Sequence, residues 1–180
     1  MFISSNKNSI KSFEEFVVKL GKFGGVDPKP LKELVHALGD EKKFRASNTE
    51  FGIVTTCIKP PRKIEKFVDE MEEGKVADYI LASTACFPIM QPYNIDGKDY
   101  VDGGYTDNVP FDMALRRGAT ELVIVDMHGM MHISKPDDVT ADIHYISPKH
   151  DLGDFIIFNK ENSIRNIEMG YLDTLKVLLL

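Results

Sequence analysis

Apolar residues recur at helical spacing in three parts of this chain. Four of them fall at i, i+3, i+4 and i+7 between Pro28 and Gly39, which predicts a helix with one apolar face. A capping-box pattern at Ser12 opens an earlier predicted helix that ends near Gly21. A third helix is predicted from about Ser163 to near the end of the chain.

Runs with the composition of strands lie between these helices. Phe51–Ile58 is β-branched and largely apolar, which predicts a strand covered on both faces. The run Ile64–Val68 fits either a strand at the sheet edge or a helix, and Val76–Cys86 fits a helix. A buried strand is predicted at Leu122–Val125 and another at Ile143–Ile146. Alternating helices and strands predict the α/β class.

The last predicted helix carries an apolar stripe that has two interpretations, core packing or contact with a membrane surface. Helices that lie in a membrane interface are rich in Lys and Arg on their polar face. Here acids and bases are mixed, so core packing is the favoured interpretation. The stripe consists of Ile164, Ile167, Tyr171, Leu175 and Leu178.

The stretch that follows residue 93 carries the main candidate for chemistry. Asn94–Tyr100 reads as two short extended runs joined by an Asp-Gly turn, which predicts a hairpin. The hairpin ends at Asp102, and Gly103 and Gly104 follow, so the backbone can turn sharply there and another segment can approach. A helix is predicted to start with Pro110 at its first position. The Asp102 carboxylate is therefore a candidate catalytic base.

A longer stretch around this turn resembles a known family. Asp78–Asp126 reads DYILASTACFPIMQPYNIDGKDYVDGGYTDNVPFDMALRRGATELVIVD. This order of motifs is similar to the C-terminal catalytic segment of the patatin-like phospholipases, and the resemblance extends over roughly residues 24 to 130. It implies a three-layer α/β/α sandwich. Residues 1–180 are then expected to form a single domain, the C-terminal part of a patatin-like domain that is incomplete at its N-terminus.

The resemblance also implies a function and a site. Patatin-like enzymes use a serine and an aspartate without histidine, and the aspartate of Asp-Gly-Gly is the base, here Asp102. Gly103 and Gly104 form the supporting turn, and Asn108 is expected to tie it together and cap the following helix. The implied activity is that of a lipid acyl hydrolase of the phospholipase A type, with a lipid or acyl ester as substrate.

The family's serine lies in a Gly-x-Ser-x-Gly elbow, and this chain has none. Ser83 is the serine nearest to Asp102 in the matched block, but it lacks flanking glycines, and a packing role is favoured for it. No nucleophile is therefore assigned, and we expect the chain alone to be inactive. The alternative function is a truncated, non-catalytic interaction or binding protein that keeps only the second half of the fold.

Histidines and carboxylates between residues 126 and 151 raise a third hypothesis, a metal-dependent hydrolase. His128 and His132 would share a face only on a helix, and the preceding residues read as a strand. A polar loop fits His128, His132, His144 and His150 better, so neither a metal nor another cofactor is expected.

Composition limits the partners and the compartment. A net charge of -6 at pH 7 argues against nucleic-acid binding. No apolar run approaches the length of a membrane span, and the N-terminus lacks the apolar core of a signal peptide. Cys57 and Cys86 read as reduced, which favours the cytoplasm. The expected partners are lipid, the periphery of a membrane, and either a second copy or the missing N-terminal half.

Overall fold

The structure is a computed structural model that describes residues 28–127, 140–153 and 159–179. The predicted helix from Ser12 to Gly21 lies outside these residues. Within them, pairs of consecutive strands are separated by helices, a mixed helix and sheet arrangement that is consistent with the α/β class. The helices are α1 (Lys29–Leu38), α2 (Glu41–Ala46), α3 (Val76–Ser83), α4 (Phe111–Arg116) and α5 (Lys160–Leu178), and the strands are β1 (Gly52–Cys57), β2 (Arg62–Phe67), β3 (Tyr93–Ile95), β4 (Lys98–Asp102), β5 (Glu121–Val125) and β6 (Asp142–Ile146).

The described residues belong to two compact units, one that ends at Asn108 and one that continues from Val109. The prediction of a single domain over residues 1–180 stays a prediction. Among the described helices, none combines the length and apolar character that crossing a bilayer demands.

The first unit contains a four-stranded sheet in the order β2-β1-β4-β3, with every neighbouring pair antiparallel. Strand β1 is central, and its residues Val54–Cys57 are buried, so both faces are covered there as predicted. Strand β2 pairs with β1 on one side and forms the edge of this sheet, which decides between the two interpretations of Ile64–Val68.

Helix α3 packs on this sheet and forms the core of the first unit. Leu81 and Ala82 are among its most buried residues. Helix α1 lies against α3, and its predicted end at Gly39 is confirmed. Helix α3 is shorter than predicted, so Cys86 lies in the loop after it and the helical assignment of that residue is wrong. The core consists of Cys57, Leu81, Ala82, Ala85, Tyr93, Ile95 and Tyr100.

The second unit contains a pair of parallel strands, β5 and β6, and helix α5 lies against β6. Strand β5 was predicted to be buried, but burial alternates along it: Leu122 and Ile124 are buried, whereas Val123 and Val125 are 54% and 61% exposed. Alternation with a period of two means that one face of this strand is covered and the other is open.

Helix α5 also differs from its prediction. Its apolar stripe was expected to pack in the core, but Ile167 is 72% exposed and Tyr171 is 65% exposed. The face that the helix buries includes polar groups: Asn166 donates a hydrogen bond to the carbonyl of Leu152 (2.8 Å), and Asp173 is 8% exposed.

Candidate active site

The hairpin that leads to Asp102 forms as predicted. Asp96 and Gly97 connect β3 to β4 with φ angles of 49° and 81°, the left-handed values that an Asp-Gly hairpin turn requires. Asp102 is the last residue of β4, opposite Thr55 of β1, and the chain then enters a short 3-10 turn, Gly103–Tyr105. The Asp-Gly hairpin turn therefore places the Asp102 carboxylate at the end of a strand.

The carboxyl group of Asp102 is half-buried and held by one backbone donor. The N–H of Gly104 donates to Oδ1 at 2.7 Å. Burial raises the pKa of Asp102 above its usual value, and the Gly104 hydrogen bond opposes that rise without cancelling it. Among the described residues, Oδ2 has no hydrogen-bond partner. A raised pKa makes this carboxylate a stronger base than an exposed aspartate.

The backbone of Asp102 is tied to two neighbouring segments. Its N–H donates to the carbonyl of Ala85, in the loop after α3, at 3.0 Å. Its carbonyl accepts from Thr56 Oγ1 at 3.0 Å, and that hydroxyl also contacts Thr106 Oγ1 at 2.9 Å. Buried Thr55 donates in turn to the carbonyl of Val101 at 2.8 Å. Sequence reasoning missed this support, although two adjacent threonines in an otherwise apolar strand are a usable signal.

The two glycines serve different contacts. A Cβ on Gly103 would lie 2.2 Å from the carbonyl oxygen of Val54, so this residue lets the turn pack directly on the backbone of β1. A Cβ on Gly104 would lie 2.9 Å from Asn108 Oδ1 and 3.1 Å from Asp102 Oδ1. The predicted close approach of another chain segment is confirmed at Gly103, whereas the atoms nearest to Gly104 belong to its own turn.

Asn108 lies beside the turn but does not cap the helix. Its side-chain oxygen faces Gly104, whereas the N-cap of α4 is Pro110 and no side chain caps that end. The capping role expected of Asn108 is therefore wrong, and Pro110 stands one position earlier than predicted.

Asp107 is a structural acid. Lys63 Nζ lies 2.9 Å from Asp107 Oδ2 and 2.7 Å from Glu65 Oε1, so an ion-pair group joins the turn to the edge strand β2. These two carboxylates raise the pKa of Lys63 through hydrogen bonds. A substitution of Asp107 would break this ion-pair group, so it cannot serve as a neutral control for a substitution of Asp102.

A thiol and a phenol border Asp102 on another side. The Tyr105 hydroxyl donates to the carbonyl of Phe87, which ties the turn to the loop after α3 a second time. Burial raises the pKa of the Cys86 thiol, and the negative charge of Asp102 adds to that rise. Neither Cys86 nor Tyr105 was among the site residues predicted from the sequence, because the loop after α3 meets the Asp102 turn only in the folded chain.

No described serine bonds to Asp102. Ser83 is the last residue of α3 and is half-buried, so the sequence assignment of a packing role stays a prediction. Within the described ranges no three metal-ligating side chains converge. His128 and His132 lie outside those ranges, and His144 pairs with Glu121 at 3.0 Å.

Comparison with protein families gives a match that includes the Asp102 turn. The profile of the family described as Patatin-like phospholipase matches residues 3–115, more than half of the chain. The chain belongs to the patatin-like phospholipase family. The resemblance inferred from the Asp-Gly-Gly segment is confirmed, as is the α/β fold class. At the level of the family, the activity is that of a lipid acyl hydrolase.

Proposed function

We propose that Asp102 is the catalytic base of a serine-dependent lipid acyl hydrolase of the phospholipase A type. The observation that carries this proposal is the half-buried carboxylate, held at Oδ1 by the N–H of Gly104 and with a raised pKa. Such a group keeps one oxygen available for a proton and is held in one orientation by its own turn.

The mechanism needs a serine that this chain does not carry in an elbow motif. A serine from an upstream Gly-x-Ser-x-Gly segment would attack the ester carbonyl while Asp102 Oδ2 accepts its proton. Backbone N–H groups would stabilise the oxyanion, and the proton would pass to the leaving alcohol. Water would then attack the acyl-serine and release the fatty acid. Asp102 would act as base again in that step.

The compartment and partners are part of the same proposal. Both cysteines are free, which supports a cytoplasmic location. The expected partners are a lipid or acyl ester, the periphery of a membrane, and a protein surface that covers the apolar residues left exposed in the second unit.

The alternative is a non-catalytic interaction protein that uses the second half of the fold as a binding surface. The observation that favours it is the combination of a missing elbow motif with the exposed apolar face of α5. The two functions differ in whether Asp102 affects turnover once a nucleophile is supplied.

The test is turnover by a restored protein, in which a segment with Gly-x-Ser-x-Gly precedes this chain. In that protein Asp102→Asn is expected to lower kcat by about 100- to 10,000-fold, since asparagine matches the shape but cannot accept the serine proton. Asp112→Asn is the matched control, because Asp112 is an exposed acid in α4. Equal hydrolysis of a p-nitrophenyl ester by Asp102→Asn would remove this residue from the mechanism.

A further inference from the structure

Helix α5 exposes a cluster of apolar residues along one side. Successive residues of an α-helix are rotated by about 100°, so the exposed apolar residues of α5 and its C-cap lie within an arc of roughly 140°. This arc is wide enough for a helix-packing face. Its exposed members are Ile164 (48%), Ile167 (72%), Tyr171 (65%), Leu172 (53%), Leu178 (44%) and Leu179 (73%).

The opposite face of the helix is already occupied by its own unit. Asn166 donates to the carbonyl of Leu152 at 2.8 Å, and Asp173 is buried with Lys176 Nζ at 3.2 Å from its Oδ1. Helix α5 also lies against β6. The polar contacts determine which way the helix faces, so it cannot turn its apolar face inward without losing them.

The amount of exposed apolar surface fits a protein partner. The six side chains expose on the order of 700 Å² per chain, close to the roughly 800 Å² per partner of a standard protein interface. A patch of this size on one helix exceeds the isolated exposed residues that are normal on a protein surface.

The charges of the helix argue for protein rather than lipid. Lys160, Arg165 and Lys176 are balanced by Glu161, Glu168 and Asp173, so the helix lacks the cationic surplus that draws an interfacial helix to anionic lipid. Glu168 lies within the apolar arc itself, where the headgroups of an anionic membrane would repel it.

We propose that the apolar face of α5 binds the same face of a second copy of this chain, with the two helices antiparallel. Tyr171 lies midway between Ile164 and Leu178. A two-fold axis near Tyr171 therefore places Ile164 of each copy against Leu178 of the other copy. The axial distance between the two Glu168 residues is then about 9 Å, whereas parallel helices would place them side by side. Antiparallel helices also oppose their dipoles.

The first experiment measures mass in solution. Light scattering of the full 180-residue chain over a dilution series is expected to give twice 20.3 kDa at high concentration and an approach to 20.3 kDa on dilution. Ile167→Asp is expected to weaken pairing at least 10-fold and to keep the circular dichroism of the parent. Leu38→Asp is the matched control, since Leu38 is 77% exposed on α1, and it should pair as the parent does.

A second experiment tests the geometry. In a Cys86→Ser background, Tyr171→Cys is expected to form an intermolecular disulfide under mild oxidation, whereas Leu38→Cys is not. A constant mass of 20.3 kDa at all concentrations would overturn the proposal, and so would pairing that Ile167→Asp leaves unchanged. Binding of the monomer to phosphatidylglycerol vesicles, lost in Ile167→Asp, would assign the face to lipid instead. These outcomes do not depend on Asp102, so they leave the proposed hydrolase activity unaffected.

Discussion

Asp102 combines two properties that oppose each other, burial and a negative charge at neutral pH. Burial raises its folded-state pKa, so the charged form is less stable in the folded chain than in the unfolded chain. The effect of pH on stability is therefore opposite to that of an ion-paired aspartate. The free energy of unfolding decreases as the pH rises from the pKa of Asp102 in the unfolded chain to its pKa in the folded chain. A carboxylate kept at such a position costs stability, as expected of a group retained for chemistry.

We therefore predict that Asp102→Asn raises the thermal unfolding midpoint of the chain at pH 7. Asparagine is neutral, and its side-chain oxygen can still accept the hydrogen bond from the Gly104 N–H. The difference should shrink in acid, where Asp102 is protonated and resembles the variant. Thermal melts at several pH values between 3 and 7 measure this. A lower midpoint for the variant at pH 7 would contradict it.

Gly103 is a second residue whose role follows from one contact. Gly103→Ala is predicted to lower the free energy of unfolding by about 1–3 kcal/mol, since its Cβ would lie 2.2 Å from Val54 O and strand β1 would have to move. Gly170→Ala is the matched change, because the space around Gly170 in α5 is open; it should raise that free energy by roughly 0.5–1 kcal/mol. Urea unfolding of both variants measures the contrast.

At the scale of elements, one side-chain hydrogen bond joins the carboxyl ends of the parallel strands. Tyr145 in β6 donates its hydroxyl to Asp126, which is buried just after β5. This hydrogen bond is the main cause that raises the pKa of Tyr145 to about 12. Because the folded-state value lies above the usual value of 10.0, the stabilisation is complete below pH 10.0 and is lost as the pH rises to about 12.

Tyr145→Phe is accordingly predicted to lower the free energy of unfolding by about 1–3 kcal/mol at pH 7, because Asp126 loses a donor while it stays buried. The gap between parent and variant should narrow as the pH rises from 10 to about 12. Chemical unfolding at several pH values checks both parts. If the difference in the free energy of unfolding between parent and variant stayed constant through that pH range, the hydrogen bond from the Tyr145 hydroxyl to Asp126 would not be the source of the stabilisation.

For the whole molecule, the family assignment and the missing elbow motif lead to opposite expectations about activity. The chain carries the proposed base and its supporting turn, whereas none of its serines lies in a Gly-x-Ser-x-Gly elbow. We predict that the purified 180-residue chain does not react with a fluorophosphonate, because it has no elbow serine and because, within the part of the chain that the structure describes, no serine bonds to Asp102. The restored protein, labelled in parallel, should react at its elbow serine. Stoichiometric labelling of the chain alone, mapped to Ser83 or another serine, would refute this.

The sequence by itself determined the features that depend on neighbours along the chain. Asp96 and Gly97 specify the hairpin, Gly39 ends α1, and the motif order around Asp102 identifies the family, because turn angles and motif spacing are local properties. Contacts between distant segments needed the tertiary structure. The loop after α3 contacts the Asp102 turn only in the folded chain. The carbonyl of Val54 lies so close to residue 103 that only glycine fits there, and Lys63 pairs with Asp107 only when the strands are paired. The direction of the α5 face was decided in the same way: the periodicity located the apolar stripe, but polar contacts to Leu152 and a buried Asp173 turned the opposite face inward.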